Sequence, residues 1–212
     1  MRIVVIGANG ATGRLAVFEG LARGHEMVAF VRDSAQVTLA DSHLTVAQGD
    51  AFDQATVVAA LEGADAVISA IGRSRKGGST QGDKGPFYAP AMRVILAGMG
   101  ERSVRRLAVI SSQGVGDEPL EGLALPLRAF RLVAGRVMDD MREMERLVEA
   151  SDTEWTITRP GGLTGKPKGA YVVLPGNSLR GHGSTPRAYL AEALVLAVTE
   201  GRWLRQAVVV AA

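Results

Sequence analysis

Ile3-Val4-Val5-Ile6-Gly7-Ala8-Asn9-Gly10-Ala11-Thr12-Gly13 is the stretch on which the reading of this chain turns. The apolar, mostly β-branched run predicts a buried strand over Arg2–Ile6. Gly7 ends that strand where the chain must turn sharply, and a helix-period segment, Ala11–Arg23, follows. Gly10 lets the backbone approach a partner with no Cβ in the way, and Gly13 lets the helix lie close to the strand. The N–H groups of the first helical turn have no partner within the helix, so they face an approaching anion. A tight turn with no ligand would use the same glycines. The place of the turn, between a first strand and a first helix, favours anion binding.

Outward from this turn, short apolar runs alternate with helix-period segments. Strands are predicted at Arg2–Ile6, Met27–Val31, Leu44–Ala47, Ala66–Ser69, Arg106–Ile110 and Trp155–Thr158, with weaker ones near Ala170–Val173 and Gln206–Val210. Helices are predicted at Ala11–Arg23, Gln54–Leu61, Phe87–Met99, about Arg128–Ala150 and Arg187–Thr199. Asp53 sits where an N-cap belongs, and Pro86 suits a first helical turn. Near-continuous apolar strands imply burial on both faces. The expectation is an α/β fold of Rossmann type: a doubly wound, mainly parallel sheet with helices on both faces. No linker divides the chain, so residues 1–212 read as one dinucleotide-binding domain. Its substrate side would come from C-terminal loops at about 111–135 and 159–186.

Bulk composition narrows the function. With 24 basic and 22 acidic residues the formal charge is +2, too near balance for the broad basic field of a nucleic-acid binder. The absence of cysteine excludes disulfides, cysteine nucleophiles and thiolate metal sites, and suits a reducing cytoplasm. Met1–Ile6 is too short for a signal peptide, and the apolar run Tyr189–Val198 is too short for a membrane span and carries Glu192. The expected partner is a small molecule, with no nucleic acid and no membrane.

Strand two ends at Phe30-Val31-Arg32-Asp33. A carboxylate at such a strand end accepts from a ribose 2′-hydroxyl, whereas an arginine suits a 2′-phosphate. Arg32 is the first polar residue after the strand and is read as the 2′-phosphate partner, with Asp33 turned aside as a helix cap beside Ser34. Asp33 as an acid of the NAD type is the alternative. The expected cofactor is therefore NADP(H), its phosphates on Gly7, Asn9, Gly10, Ala11, Thr12 and Gly13. Arg14 reads as an ordinary solvated helix residue or as a second phosphate partner.

The G-x-x-G-x-x-G spacing and its Gly-Ala-x-Gly-x-Thr-Gly lettering resemble the atypical short-chain dehydrogenase/reductase superfamily. Further segments resemble the biliverdin-IXβ reductase/flavin reductase group and its NmrA-like relatives. They are Phe30-Val31-Arg32-Asp33-Ser34, Gly49-Asp50, Gly63-Ala64-Asp65-Ala66-Val67-Ile68, Asp139-Asp140-Met141-Arg142 with Glu145, Arg159-Pro160-Gly161 and Gly169-Ala170-Tyr171. The likeness spans about residues 2–72 and 104–195. It implies that Asp50 and Ala51 line the adenine pocket, and that Ala70, Ile71, Gly72 and Pro160 lie along the cofactor. It also implies that Ser111 and Ser112, after strand five, sit near the nicotinamide. Read bare, two serines after an apolar strand are an ordinary strand end.

Many short-chain dehydrogenases use a Tyr-x-x-x-Lys pair for proton transfer. Here Tyr88, Tyr171 and Tyr189 are followed four residues on by Met92, Pro175 and Ala193, so the pair is absent. Gly162 stands where biliverdin-IXβ reductase has a histidine, and Tyr189 where relatives often have an acid. His25 and His43 open strands two and three, away from the ligand edge, and read as structural. His182 lies in a glycine-rich loop, and no cluster has metal-ligand spacing. A flavin, quinone or bilin delocalises incoming electrons and needs little acid help, whereas a ketone leaves a localised alkoxide that wants a donor. The basic run Arg73-Ser74-Arg75-Lys76 reads as a solvated loop or as an attractor of an acidic substrate. Leu120–Leu132 reads as helix packing, a lid or an oligomer face. The leading expectation is an NADPH-dependent oxidoreductase transferring hydride to a conjugated acceptor. A non-catalytic NADP(H)-binding regulator of NmrA type is the alternative. A sugar-nucleotide epimerase fits less well, since such enzymes generally carry the Tyr-Lys pair.

Overall fold

The computed structural model describes residues 1–73, 85–115, 135–165, 170–176 and 184–211. The first half runs β1 (Arg2–Ile6), α1 (Ala11–Ala22), β2 (Glu26–Val31), a 3-10 turn (Ser34–Gln36), β3 (Leu44–Gln48), α2 (Gln54–Ala60) and β4 (Ala66–Ser69). The second runs α3 (Tyr88–Glu101), β5 (Arg106–Ile110), α4 (Gly135–Glu149), β6 (Glu154–Thr158), β7 (Gly162–Thr164), β8 (Val172–Pro175), β9 (Ser184–Pro186), α5 (Arg187–Glu200) and β10 (Gln206–Ala211).

Eight strands form one sheet in the order β3-β2-β1-β4-β5-β6-β10-β8. Every pairing is parallel except β10 with β8. The expected doubly wound fold is therefore present. Alternation along each strand explains the layering. Val4, Ile6, Val67, Leu107, Val109 and Ile157 join a core with α2, α3 and α4. Ile3, Val5, Ala66, Ile68 and Ala108 join a second core with α1 and α5. Full burial of an Ile or Val contributes about 1.5–3 kcal/mol, so each central strand, buried on both faces, stabilises both cores.

Among the described residues most strand and helix boundaries fall within a few residues of expectation; the helix expected from about Arg128 is described from Gly135. The strand expected at Ala170–Val173 lies at Val172–Pro175, where it pairs antiparallel with β10. Pro86 lies outside α3, whose start is capped from elsewhere. The Asp140 carboxylate on α4 accepts from the N–H groups of Phe87, Tyr88 and Ala89 at 2.6, 2.8 and 3.0 Å. Asp53 caps α2 as expected, accepting from the Ala55 N–H at 3.0 Å. The parallel pair β7–β9 was not anticipated. Thr185 secures it, since its Oγ1 donates to the Val210 carbonyl at 2.5 Å and accepts from the Gly161 N–H at 3.0 Å. Arg128, Ser74, Arg75, Lys76, His182 and the run Leu120–Leu132 lie outside the described residues.

Candidate cofactor site

The glycine turn ends β1 at the carboxyl edge of the sheet, the edge at which open α/β sheets take ligands. Gly7 has φ +90°, and a Cβ on it would stand 2.6 Å from the Ala70 carbonyl oxygen. A Cβ on Gly13 would stand 2.3 Å from the Gly7 carbonyl oxygen. Both glycines are fixed by the fold alone. Gly10 differs: its backbone is ordinary extended (φ −67°, ψ 154°), and its Cβ would meet the Gly7 oxygen at 3.2 Å. The fold presses on Gly10 much less than on its neighbours. α1 begins there with no side-chain cap and no acid in its first turn. By contrast α2 and α3 start on the carboxylates of Asp53 and Asp140. An uncapped helix start beside a bare backbone suits a pyrophosphate.

The adjoining end of β2 is held from both sides. Asn9 Nδ2 donates to the Asp33 carbonyl at 3.1 Å, tying the glycine turn to the β2 end. The Asp33 carboxylate accepts from the Ala35 N–H at 3.1 Å and from Gln36 Nε2 at 2.8 Å. Asp33 thus turns into its own loop as a cap. Ser34 Oγ donates to Gln48 Oε1 at 2.7 Å, joining this loop to β3. Arg32 is exposed at the strand end. On the neighbouring strand end, Asp50 and Ala51 are half-buried, and Asp50 Oδ1 accepts from the Phe52 N–H at 3.1 Å.

On the other side of β1 lie the ends of β4, β5 and β6. The Ala70 N–H donates to the Ile6 carbonyl at 2.8 Å, so Ala70 and Ile71 run beside the glycine turn, with Gly72 exposed beyond them. Ser111 is 3% exposed, and its Oγ has no partner among the described residues. Ser112 is half-buried and its Oγ donates to the Gln113 carbonyl at 3.3 Å. The Gln113 N–H donates to the Pro160 carbonyl at 2.9 Å, joining the β5 and β6 loops. Pro160 itself is buried. Arg159, next to it in the chain, and Glu145 form a buried two-point ion pair, Nε to Oε1 at 3.0 Å and the terminal nitrogen to Oε2 at 2.6 Å.

Three features were not foreseen from sequence: the Asn9 tie, the Arg159–Glu145 brace, and Gln113, whose buried Nε2 has no partner among the described residues. The letters Ser-Ser-Gln-Gly carried no signal for Gln113 beyond their place after β5.

Among the described residues, the tyrosines and histidines are poorly placed or poorly tuned to donate a proton near neutral pH. Tyr171 stacks on Tyr189 with ring centres 4.7 Å apart, and burial and then the Glu192 carboxylate push its phenol up to about 12. Burial also raises Tyr88. Such phenols hold their protons too tightly to act near neutral pH. His25 and His43 precede β2 and β3 at the opposite edge, and desolvation lowers His25. Arg73 lies over the Phe87 ring at 5.4 Å and donates to the Gly85 carbonyl. Among the described residues no group of side chains could hold a metal ion, and no helix is long and apolar enough to cross a membrane.

The cradle at Gly10, the uncapped start of α1 and the orphaned polar atoms beyond β5 fit a dinucleotide lying across the sheet edge. Residues 7–201 match a family model described as NAD(P)H-binding. A maize isoflavone reductase homolog is 39% identical over 80 residues, which span 34% of this chain and 26% of that protein. The chain thus matches about a quarter of that relative's length. An anaerobilin reductase of Escherichia coli O157:H7 superposes with a TM-score of 0.80 at 21% identity, covering 100% of this chain and 97% of that one. A short-chain dehydrogenase/reductase of Veillonella parvula, solved in complex with NADP, superposes with a TM-score of 0.79 at 16% identity, covering 100% and 94%.

Proposed function

Since the chain belongs to the NAD(P)H-binding family, we propose that it is an NADPH-dependent reductase of flavin-like or other conjugated acceptors. The observation that carries the choice of nucleotide is the anchored end of β2. The Asp33 carboxylate, which could have read a ribose 2′-hydroxyl, is bonded within its own loop, while Arg32 stands exposed at the strand end. In this reading Arg32 takes the 2′-phosphate, Asp50 and Ala51 border the adenine, and Gly7, Asn9, Gly10, Ala11, Thr12 and Gly13 seat the pyrophosphate. Ala70, Ile71, Gly72 and Pro160 flank the remainder of the cofactor. Described parts of the loops at about 111–135 and 159–186 of this one domain, residues 111–115 and 159–165, border the acceptor, and the working compartment is the cytoplasm.

The bound nicotinamide supplies a hydride. Ser111 and Ser112 orient ring and acceptor, and the acceptor's protons come from water. The raised Tyr171 phenol and the missing Tyr-x-x-x-Lys pair favour an acceptor that spreads the incoming charge over a conjugated system. The same missing pair, with Gly162, also favours a second reading, a non-catalytic NADP(H)-binding regulator. NADPH oxidation with a panel of flavins, quinones and bilins separates the two. The reductase turns over with at least one class, whereas the regulator binds cofactor and turns over with none.

Arg32→Ala should weaken NADPH binding by about tenfold to a hundredfold, since a charge-assisted hydrogen bond contributes about 1.5–3 kcal/mol. NADH binding should hardly change. Equal losses for both nucleotides would remove Arg32 from the 2′-phosphate.

Ser112→Ala should slow acceptor reduction only about threefold to tenfold, the scale of one neutral hydrogen bond. The pH–rate profile should show no protein acid titrating between about pH 6 and 8. A loss of about a thousandfold would mean that a serine takes part in proton transfer after all.

A further inference from the structure

We propose that the side-chain amide of Gln113 holds the carboxamide of the bound nicotinamide. The inference rests on the NADPH reading and adds to it the residue that fixes the reacting ring. Gln113 is only 7% exposed, and its Nε2 is enclosed with no partner among the described residues. A glutamine amide carries two donor hydrogens and a carbonyl acceptor, so an enclosed and unanswered donor is costly to keep. Nor is it alone. Ser111 Oγ, two residues back, and Ser69 Oγ, on a residue 1% exposed at the end of β4, are likewise enclosed and unanswered. β4 and β5 are neighbours, with Ser69 paired to Val109. The orphaned atoms therefore gather at the carboxyl ends of two adjacent central strands.

That place agrees with the run of the cofactor. A dinucleotide with its pyrophosphate on the turn after β1 and its adenosine toward β2 and β3 must send its other half the opposite way. The strands on that side are β4 and then β5. β5 lies two strand spacings from β1, about 10 Å, within reach of a ribose and ring. A carboxamide presents a carbonyl and an amino group side by side, and a glutamine amide presents the complementary pair. One in-plane contact answers both groups.

The backbone beneath Gln113 is fixed. Its N–H is bonded to the Pro160 carbonyl at 2.9 Å, the Val115 N–H closes the turn on the Ser112 carbonyl at 3.3 Å, and Gly114 takes φ +83°. A side chain on so constrained a turn can orient a ring, because little freedom is lost when it binds.

The test compares two ligands by titration calorimetry: NADPH, and 2′-phospho-ADP-ribose, which lacks the nicotinamide. In Gln113→Leu, NADPH should bind about tenfold more weakly, the scale of one or two lost amide hydrogen bonds. The truncated ligand should bind within about twofold of wild type. Gln113→Met, closer in length and shape, gives the same comparison if the leucine variant does not fold. Equal weakening of both ligands, or no change in either, overturns the assignment while leaving the NADPH reading intact. If the wild-type protein binds neither ligand, the NADPH reading fails and this assignment fails with it.

Discussion

Gly10→Val is expected to reduce NADPH affinity by more than about a hundredfold while the protein stays folded. The contrast among the three glycines is the ground for this. At Gly7 and Gly13 a Cβ would stand 2.6 and 2.3 Å from backbone oxygens, so substitution there damages the fold before any ligand is considered. At Gly10 the closest atom is 3.2 Å away, and the backbone already has a conformation open to any L-residue. A valine there costs stability as a poorer N-cap than glycine, about 1 kcal/mol, and by pressing on the Gly7 oxygen, which must give by a few tenths of an ångström. Its branched side chain nevertheless stands over the N–H groups that start α1, where a pyrophosphate would lie. A hundredfold loss corresponds to about 2.7 kcal/mol, and displacing a doubly charged group from its donors exceeds that. Circular dichroism should show a native spectrum and calorimetry no binding. A variant that binds NADPH normally would show that the pyrophosphate sits elsewhere.

The strand–turn–helix frame of the proposed nucleotide half was legible in the sequence because its parts are close together in the chain. Strand, turn and helix occupy Arg2–Ala22, and the β2 end follows within ten residues. Apolar runs such as Val4–Ile6 and Ala66–Ile68 announced the central strands, since burial on both faces leaves no polar positions. The acceptor half was not legible in the same way. Ser111 and Ser112 stood out only through the family resemblance, and Gln113 acquires meaning only when β5 lies between β4 and β6, a pairing that no local pattern encodes. β7 and β9 are three residues each, too short to show a period, and they are identified by pairing with each other. Pro86 suggested a local start for α3, but the actual cap comes from Asp140, more than fifty residues away.

These distant ties also give the candidate site a defined frame. The Asn9 amide joins the glycine turn to β2, the Gln113 N–H joins β5 to β6, and the Gly161 N–H joins β6 to Thr185 and through it to β10. The strand ends that would flank a cofactor are thus cross-linked to one another before it arrives. Such preorganisation favours hydride transfer through placement rather than through proton donation.

The stability of that frame depends heavily on Glu145, and Glu145→Leu is expected to cost about 3–5 kcal/mol. Glu145 and Arg159 are only 4% and 8% exposed at their side chains, and Arg159 immediately precedes Pro160 in the chain. A pair in this setting adds little net stability compared with apolar residues of the same size, because both ions were taken out of water to make it. Removing one member is different, since the buried guanidinium loses the carboxylate that answers two of its nitrogens. A loss of that size is a large part of the 5–15 kcal/mol typical of a folded domain, so the variant should unfold at markedly lower urea concentration. The double variant Glu145→Leu/Arg159→Met supplies the control. With both charges gone, the denaturation midpoint should recover most of the difference. Cofactor affinity follows a different course, because the Pro160 carbonyl that receives the Gln113 N–H remains on the chain in both variants. NADPH binding in the double variant should therefore stay within about tenfold of wild type. If the single variant is as stable as wild type, the ion pair does not brace the β6 end. If the double variant is no more stable than the single one, the lost stability did not come from breaking the Arg159–Glu145 pair.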